Sequence, residues 1–170
     1  MRSDGSGALA APAGARVVAG RELVPASRVA IVASRYHADI VQPLVDGAFA
    51  ELADAGIGPD RVTLCPVPGA FELPIAARGF ATAGGYAAVI CLGCVIQGET
   101  PHFTFVCAEA ARGCTLVALE TGIPVSFGVI TALTHAQAMA RAGGAVGNKG
   151  NEAAAAAIEL SGVLRAIRSA

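Results

Sequence analysis

Arg28-Val29-Ala30-Ile31-Val32-Ala33 decides how this chain folds. Five consecutive apolar residues without polar alternation suit a strand buried on both faces, which a parallel sheet covered by helices provides. Outward from it, residues 38–55 place Ile40, Val41, Leu44, Val45, Ala48 and Leu52 at helical spacing, closed by Gly56. Pro43 sits in that helix's first turns, where a missing N–H costs least. Arg61–Val67 predicts a second strand and Phe71–Thr82 a second helix, with Pro74 in its first turn. Ala87–Ile96 predicts a third strand, residues 102–120 a third helix and Pro124–Ile130 a fourth strand. The remainder reads as helical with a break near Gly143–Gly150. Gly143 and Gly144 end one short helix, and the alanine-rich run 152–168 forms the last.

Strands alternating with helices imply right-handed crossovers. The expected fold is therefore a flavodoxin-like three-layer αβα sandwich with a four-stranded, mainly parallel sheet. Residues 1–15, rich in Ala, Gly, Ser and Pro, read as a flexible N-terminal tail, and residues 16–170 as a single domain. Arg16-Val17-Val18-Ala19 is a short extended piece within it. A length of 170 residues leaves no comfortable room for a second domain.

An apolar content of 54% excludes a disordered chain. Twelve Lys and Arg against thirteen Asp and Glu show no basic excess or stripe, which argues against nucleic-acid binding. Charged residues make up 15%, where roughly a quarter is usual. That thin cover suggests that surface is buried in an oligomer. Five cysteines, an odd number, point to free thiols in a reducing, cytoplasmic compartment. Asp4, Pro12 and several glycines interrupt any signal-peptide core near the start. The uncharged stretches Gly79–Gly98 and Thr121–Ala140 are long enough to span a bilayer but are broken by Gly and Pro, so a soluble protein is expected.

In an open parallel sheet, ligands bind outside the carboxyl ends of the strands. Ser34-Arg35-Tyr36-His37 follows the first strand, Pro68-Gly69-Ala70-Phe71-Glu72 the second, and Gln97-Gly98-Glu99-Thr100-Pro101-His102 the third. Phe127 lies in the fourth. Gly98-Glu99-Thr100 leads into a helix start, whose free amides and dipole favour an anion. His102 in the first turn reads as a general acid/base beside a phosphate, or equally as a surface histidine at a helix start. Phe71 and Glu72 suit a flat, hydrogen-bonding heterocycle; the bland alternatives are a core aromatic and a helix-start carboxylate. Tyr36, just past a strand end, is poorly placed for the core. Arg141 and Lys149 bracket the Gly-rich break, where both could reach a phosphate or simply be a helix-end charge and a solvated loop lysine. Cys91 and Cys94 sit three apart inside a strand, hence on opposite faces, which makes them structural rather than redox-active. No Cys/His spacing resembles a metal site.

These loops exclude near neighbours of the fold. A flavodoxin would carry a Ser/Thr/Gly-rich phosphate loop after the first strand, and a receiver domain would carry paired carboxylates there. No Gly-x-Gly-x-x-Gly opens the first helix, so a dinucleotide site is excluded.

Three blocks resemble the lumazine synthase family: Val67-Pro68-Gly69-Ala70-Phe71-Glu72-Leu73-Pro74, Gly98-Glu99-Thr100-Pro101-His102-Phe103, and Arg141-Ala142-Gly143 followed by Gly147-Asn148-Lys149-Gly150. The resemblance runs from Arg28 to Leu164. It implies condensation of 5-amino-6-(D-ribitylamino)uracil with 3,4-dihydroxy-2-butanone 4-phosphate, releasing phosphate and water, without metal or organic cofactor. By the same resemblance Tyr36 would stack on the pyrimidine ring. Ala70, Phe71 and Glu72 would hold ring and ribityl chain, and Cys94, Val95 and Ile96 would line the pocket. Glu99 and Thr100 would donate to the phosphate from their backbone, with Arg141 binding it and Lys149 in support. His102 would transfer protons, and Phe127 would close the pocket of a neighbouring subunit. Gln97 stands where the family commonly has arginine, Thr104 where it has an acidic residue, His37 for asparagine and Ala140 for a charged residue.

The resemblance further implies a homo-oligomer with sites at subunit interfaces: a pentamer, and in some members a decamer or a sixty-subunit icosahedral shell. The short link between Arg141 and Lys149 is like that of the shell-forming members. Riboflavin synthase is a candidate partner. A non-catalytic flavin- or lumazine-binding protein, or a shell-forming protein without turnover, would share the scaffold. The first would not need His102 or Arg141.

Overall fold

A computed structural model describes residues 9–20 and 27–169. Of the expected tail, residues 1–8 therefore lie outside the described residues. Residues 9–19 are exposed and without regular structure, so the Arg16–Ala19 piece pairs with no described strand.

Strand β1 (Arg28–Ser34) forms as its apolar run predicts and is buried from Val29 onward. It lies at the centre of a four-stranded sheet with β2 (Val62–Val67), β3 (Tyr86–Ile96) and β4 (Val125–Ala132), in the order β2-β1-β3-β4. All three pairings are parallel; Ser34 lies opposite Val67, Ala33 opposite Leu92, and Ile96 opposite Ala132. The chain leaves β1 toward β2 and returns past it to β3. The strand order thus reverses between β1 and β3, and a crevice opens there at the carboxyl edge.

Helices cover both faces. α1 (Ala38–Asp54) and the last helix α5 (Lys149–Arg168) enclose one core around Ile31, Ile40, Leu44, Leu52, Ile90 and Leu92. α2 (Leu73–Ala83) and α3 (His102–Thr121) enclose the other around Val32, Leu73, Val89 and Cys114. The flavodoxin-like sandwich is thus as expected. The second helix begins two residues late, because residues 70–72 form a single 3₁₀ turn first.

The region after β4 departs from the expected pair of helices. A five-residue helix α4 (His135–Met139) is followed by a small antiparallel hairpin, β5 (Ala142–Gly144) and β6 (Gly147–Asn148). Gly143 and Gly147 take φ of 107° and 110°, a conformation that disfavours any side chain. The glycines that were expected to end a helix build a turn instead. α5 also starts at Lys149 rather than 152. Asn148 caps it, its Oδ1 accepting from the amides of Gly150 (2.8 Å) and Asn151 (3.3 Å). Gly150 allows α5 to touch α1: a Cβ there would lie 1.9 Å from the Leu44 carbonyl oxygen.

Candidate active site

At the crevice the chain forms a cleft of about 640 Å³, well within the range of small-molecule sites. Tyr36 and His37 come from the β1–α1 turn, Gly69 to Glu72 from the turn after β2, Cys94 to Ile96 from β3, and Gly98, Thr100 and His102 from the start of α3. Phe103, Phe105 and Val106 complete the wall.

His37 has φ 57° and ψ 50°, the left-handed region that few residues apart from Gly, Asn, Asp and His adopt. Such strain costs about 1–3 kcal/mol and gathers at functional sites. It lets α1 begin immediately, with the His37 carbonyl accepting from Ile40 and Val41 (both 2.9 Å). It also leaves the Tyr36 and His37 rings edge to face at 4.7 Å. The amides of Arg35 and Tyr36 donate to the carbonyls of Val67 and Pro68, which locks the first two loops together. Tyr36 is 69% exposed and Phe71 58%, so neither ring belongs to the core. This removes the bland alternative for Phe71. For Glu72 the bland reading holds in part: Oε2 accepts from the Gly69 amide at 2.8 Å, stapling the 3₁₀ turn.

Cys94 is buried in the cleft wall, and burial, with Asp39 and Cys107 nearby, pushes its thiol up to about 11. It is therefore a neutral, apolar surface. Cys91 faces the opposite core, as the strand alternation requires, and a hydrogen bond with Cys114, then burial, raises its thiol further. All five cysteines are free. No side chain caps α3; the Thr104 amide donates to the Pro101 carbonyl at 3.0 Å, and the helix start lies beside exposed Thr100 and His102. Among the described residues no three His, Cys, Asp or Glu side chains gather as a metal centre, and no helix is long and apolar enough to cross a membrane.

Four of the expected site residues stand outside the cleft. Glu99 is exposed in the loop beyond its lining. Phe127 and Lys149 line a second groove, between β4 and α5, together with Glu152. Lys149 Nζ pairs with the Glu152 carboxylate. Arg141 joins this group through the backbone, its carbonyl accepting from the Lys149 amide, while its Nη1 donates to the Gln137 carbonyl at 2.9 Å. The cleft itself has no Lys or Arg in its lining among the described residues. Phe105 and Val106 were missed by sequence reasoning, although they follow His102 at i+3 and i+4 and so share its face of α3.

A parallel α/β sandwich with an aromatic-walled cleft at its topological switch point, and a helix start on the rim, has the architecture of small-molecule enzymes of the α/β class. The comparisons narrow that class. The family described as 6,7-dimethyl-8-ribityllumazine synthase matches residues 26–165. A protein of that name from Edwardsiella ictaluri (strain 93-146) is 44% identical over 155 residues, covering 91% of this chain and 99% of its own. The chain belongs to the 6,7-dimethyl-8-ribityllumazine synthase family.

Proposed function

We propose that this protein condenses 5-amino-6-(D-ribitylamino)uracil with 3,4-dihydroxy-2-butanone 4-phosphate to give 6,7-dimethyl-8-ribityllumazine, phosphate and water, the penultimate step of riboflavin biosynthesis, at sites shared between copies of the chain. One observation carries the reading. The chain divides the family's motif residues between two surfaces, a cleft with the ring-binding residues and His102, and a groove-and-hairpin surface with Phe127, Arg141 and Lys149. A site completed by a neighbouring copy accounts for both halves.

In that site Tyr36 and Phe71 flank the pyrimidine, with Ala70, Cys94, Val95 and Ile96 as the apolar wall. Glu72 keeps one oxygen on Gly69 and offers the other to a ribityl hydroxyl. The open amides at Glu99 and Thr100, with the neighbour's copy of Arg141 and Lys149, hold the phosphate. The 5-amino nitrogen attacks the ketone and one water leaves to form an imine; phosphate is then eliminated, leaving an enol that tautomerises to a carbonyl, and the ribitylamino nitrogen closes the ring on that carbonyl with loss of a second water. Each step moves a proton, and His102, which lines the cleft, is the residue proposed to carry it. Holding two substrates together supplies the larger share of the rate.

A ring of five copies is the assembly proposed, with decamers or sixty-subunit shells built from it. Exposed Ile75, Phe105, Leu116 and Leu119 on α2 and α3 support burial against other copies. Five free thiols fit a cytoplasmic location, and riboflavin synthase, which would take up the product, is the proposed partner.

The test is to mix purified protein with both substrates and follow lumazine formation optically, after subtracting the uncatalysed condensation. His102→Ala is expected to lower kcat about 100-fold, the low end for lost acid–base help. Arg141→Ala is expected to raise KM for the butanone phosphate. A wild type that stays at the uncatalysed rate while binding flavin or lumazine would overturn the enzyme reading and leave the fold intact.

A further inference from the structure

Among the described residues, His37 is the one residue other than glycine with a positive φ, and the reaction scheme above does not use it. It stands at the N-cap of α1, where Ser, Thr, Asp or Asn would bond a first-turn amide, yet its side chain makes no such bond. Glycine would serve this turn at no steric cost; histidine adds a ring. That ring lines the cleft, its centroid 4.7 Å from that of Tyr36 and the two planes 80° apart. Aromatic rings prefer this edge-to-face arrangement. Tyr36 is largely exposed, and among the described residues His37 is the ring it meets. The backbone of both residues is fixed: the Tyr36 amide donates to the Pro68 carbonyl at 3.2 Å, and the His37 carbonyl accepts from Ile40 and Val41. An exposed side chain on such a backbone still turns about its own χ angles, and a packed neighbour restricts them.

We infer that His37 is a positioning residue for Tyr36: its imidazole holds the Tyr36 ring in one orientation, so that the pyrimidine substrate meets a stacking surface already in place. The inference rests on the proposed stacking of Tyr36 on that pyrimidine. Stacking requires the protein ring to give up its rotamer freedom, and a ring restrained beforehand gives up less on binding. In a perpendicular pair the edge of one ring meets the face of the other, so at least one face of Tyr36 stays free of His37 and can take the substrate. The device is one of packing and calls for no charge on the imidazole. It also acts on one substrate alone, because the butanone phosphate is assigned to the start of α3 and to the neighbour's copy of Arg141, away from the Tyr36 ring.

The test is a double-mutant cycle on the assembled protein, with wild type, His37→Asn, Tyr36→Leu and the two together. Asn tolerates the left-handed backbone and carries no aromatic ring. His37→Gly, at ease at φ 57°, is the second variant without the ring. Each protein is read by kcat, by both KM values, and by the Kd of 6,7-dimethyl-8-ribityllumazine from a fluorescence titration. His37→Asn and His37→Gly are expected to raise the pyrimidine KM and the lumazine Kd about two- to tenfold, the range of an edge-to-face pair. Neither kcat nor the KM for the butanone phosphate should move with them. In the Tyr36→Leu background, His37→Asn should change nothing further. An effect of His37→Asn that persists in full without Tyr36, or that falls on kcat or the phosphate substrate, overturns the inference. An effect seen with Gly and not with Asn belongs to the backbone and overturns it equally. If Tyr36→Leu leaves the pyrimidine KM and the lumazine Kd unchanged, the stacking reading fails and the inference falls with it. If Tyr36→Leu weakens both while His37→Asn weakens neither, the positioning role alone fails.

Discussion

The backbone amide of Lys149 donates to the carbonyl of Arg141 at 2.9 Å, closing the hairpin so that two cations eight positions apart in sequence leave the chain side by side. The pairing depends on Gly143 and Gly147, whose positive φ values turn the chain between them. Gly147→Ala puts a side chain where φ is 110° and is expected to cost about 1–3 kcal/mol of local strain. The expected kinetic signature is a raised KM for the butanone phosphate with the pyrimidine KM unchanged, read from initial rates at varied concentrations of each substrate.

The proposed division of the site between two surfaces predicts complementation. His102→Ala chains retain a sound hairpin and Arg141→Ala chains a sound cleft. In the proposed ring, assemblies refolded from an equal mixture should contain roughly a quarter of sites built from two good halves. Activity of the mixture is expected to approach that fraction of wild type and to exceed the average of the two single variants. Rates measured before and after mixed refolding check it.

Thiol reactivity should sort by depth. Cys65 and Cys107 are half-buried, whereas Cys91, Cys94 and Cys114 are buried. With its thiol pushed up to about 11, Cys94 has ~100-fold less thiolate at pH 8 than an ordinary cysteine. Native protein treated with iodoacetamide at pH 8 is expected to carry label on Cys65 and Cys107 only, and unfolded protein on all five, as counted by peptide mass spectrometry.

Gly150 lets α5 approach α1 closely enough that a Cβ there would meet the Leu44 backbone. Gly150→Ala is expected to destabilise by about 1–3 kcal/mol or more, because backbone rather than a flexible side chain meets the new methyl. A thermal melt would register it as a fall of several degrees. Lys149, one residue away, would move with the helix start, so a loss of phosphate affinity should accompany the lower melting temperature.

The sheet was legible in the sequence because a strand buried on both faces must be apolar throughout, as Val29 to Ala33 are. The cleft was legible because strand ends in such a sheet carry the ligand, and Tyr36, Phe71 and His102 all fall there. The hairpin at 142–148 was not. Its glycines have no side chains to form a period, and its pairing is set by backbone torsion and by the Asn148 bond to Pro43, 105 residues away. The alanine run likewise hid the true start of α5, which the Asn148 cap governs.

Among the described residues the cleft lining has no Lys or Arg, so one chain meets a phosphate dianion with the start of α3 alone, and the proposed reading leaves the cationic share to a neighbouring copy. Dilution would then act on this protein as an inhibitor does. Below the concentration at which copies hold together, a full stock of correctly folded chains would turn over nothing, and catalysis would begin at association rather than at the end of folding.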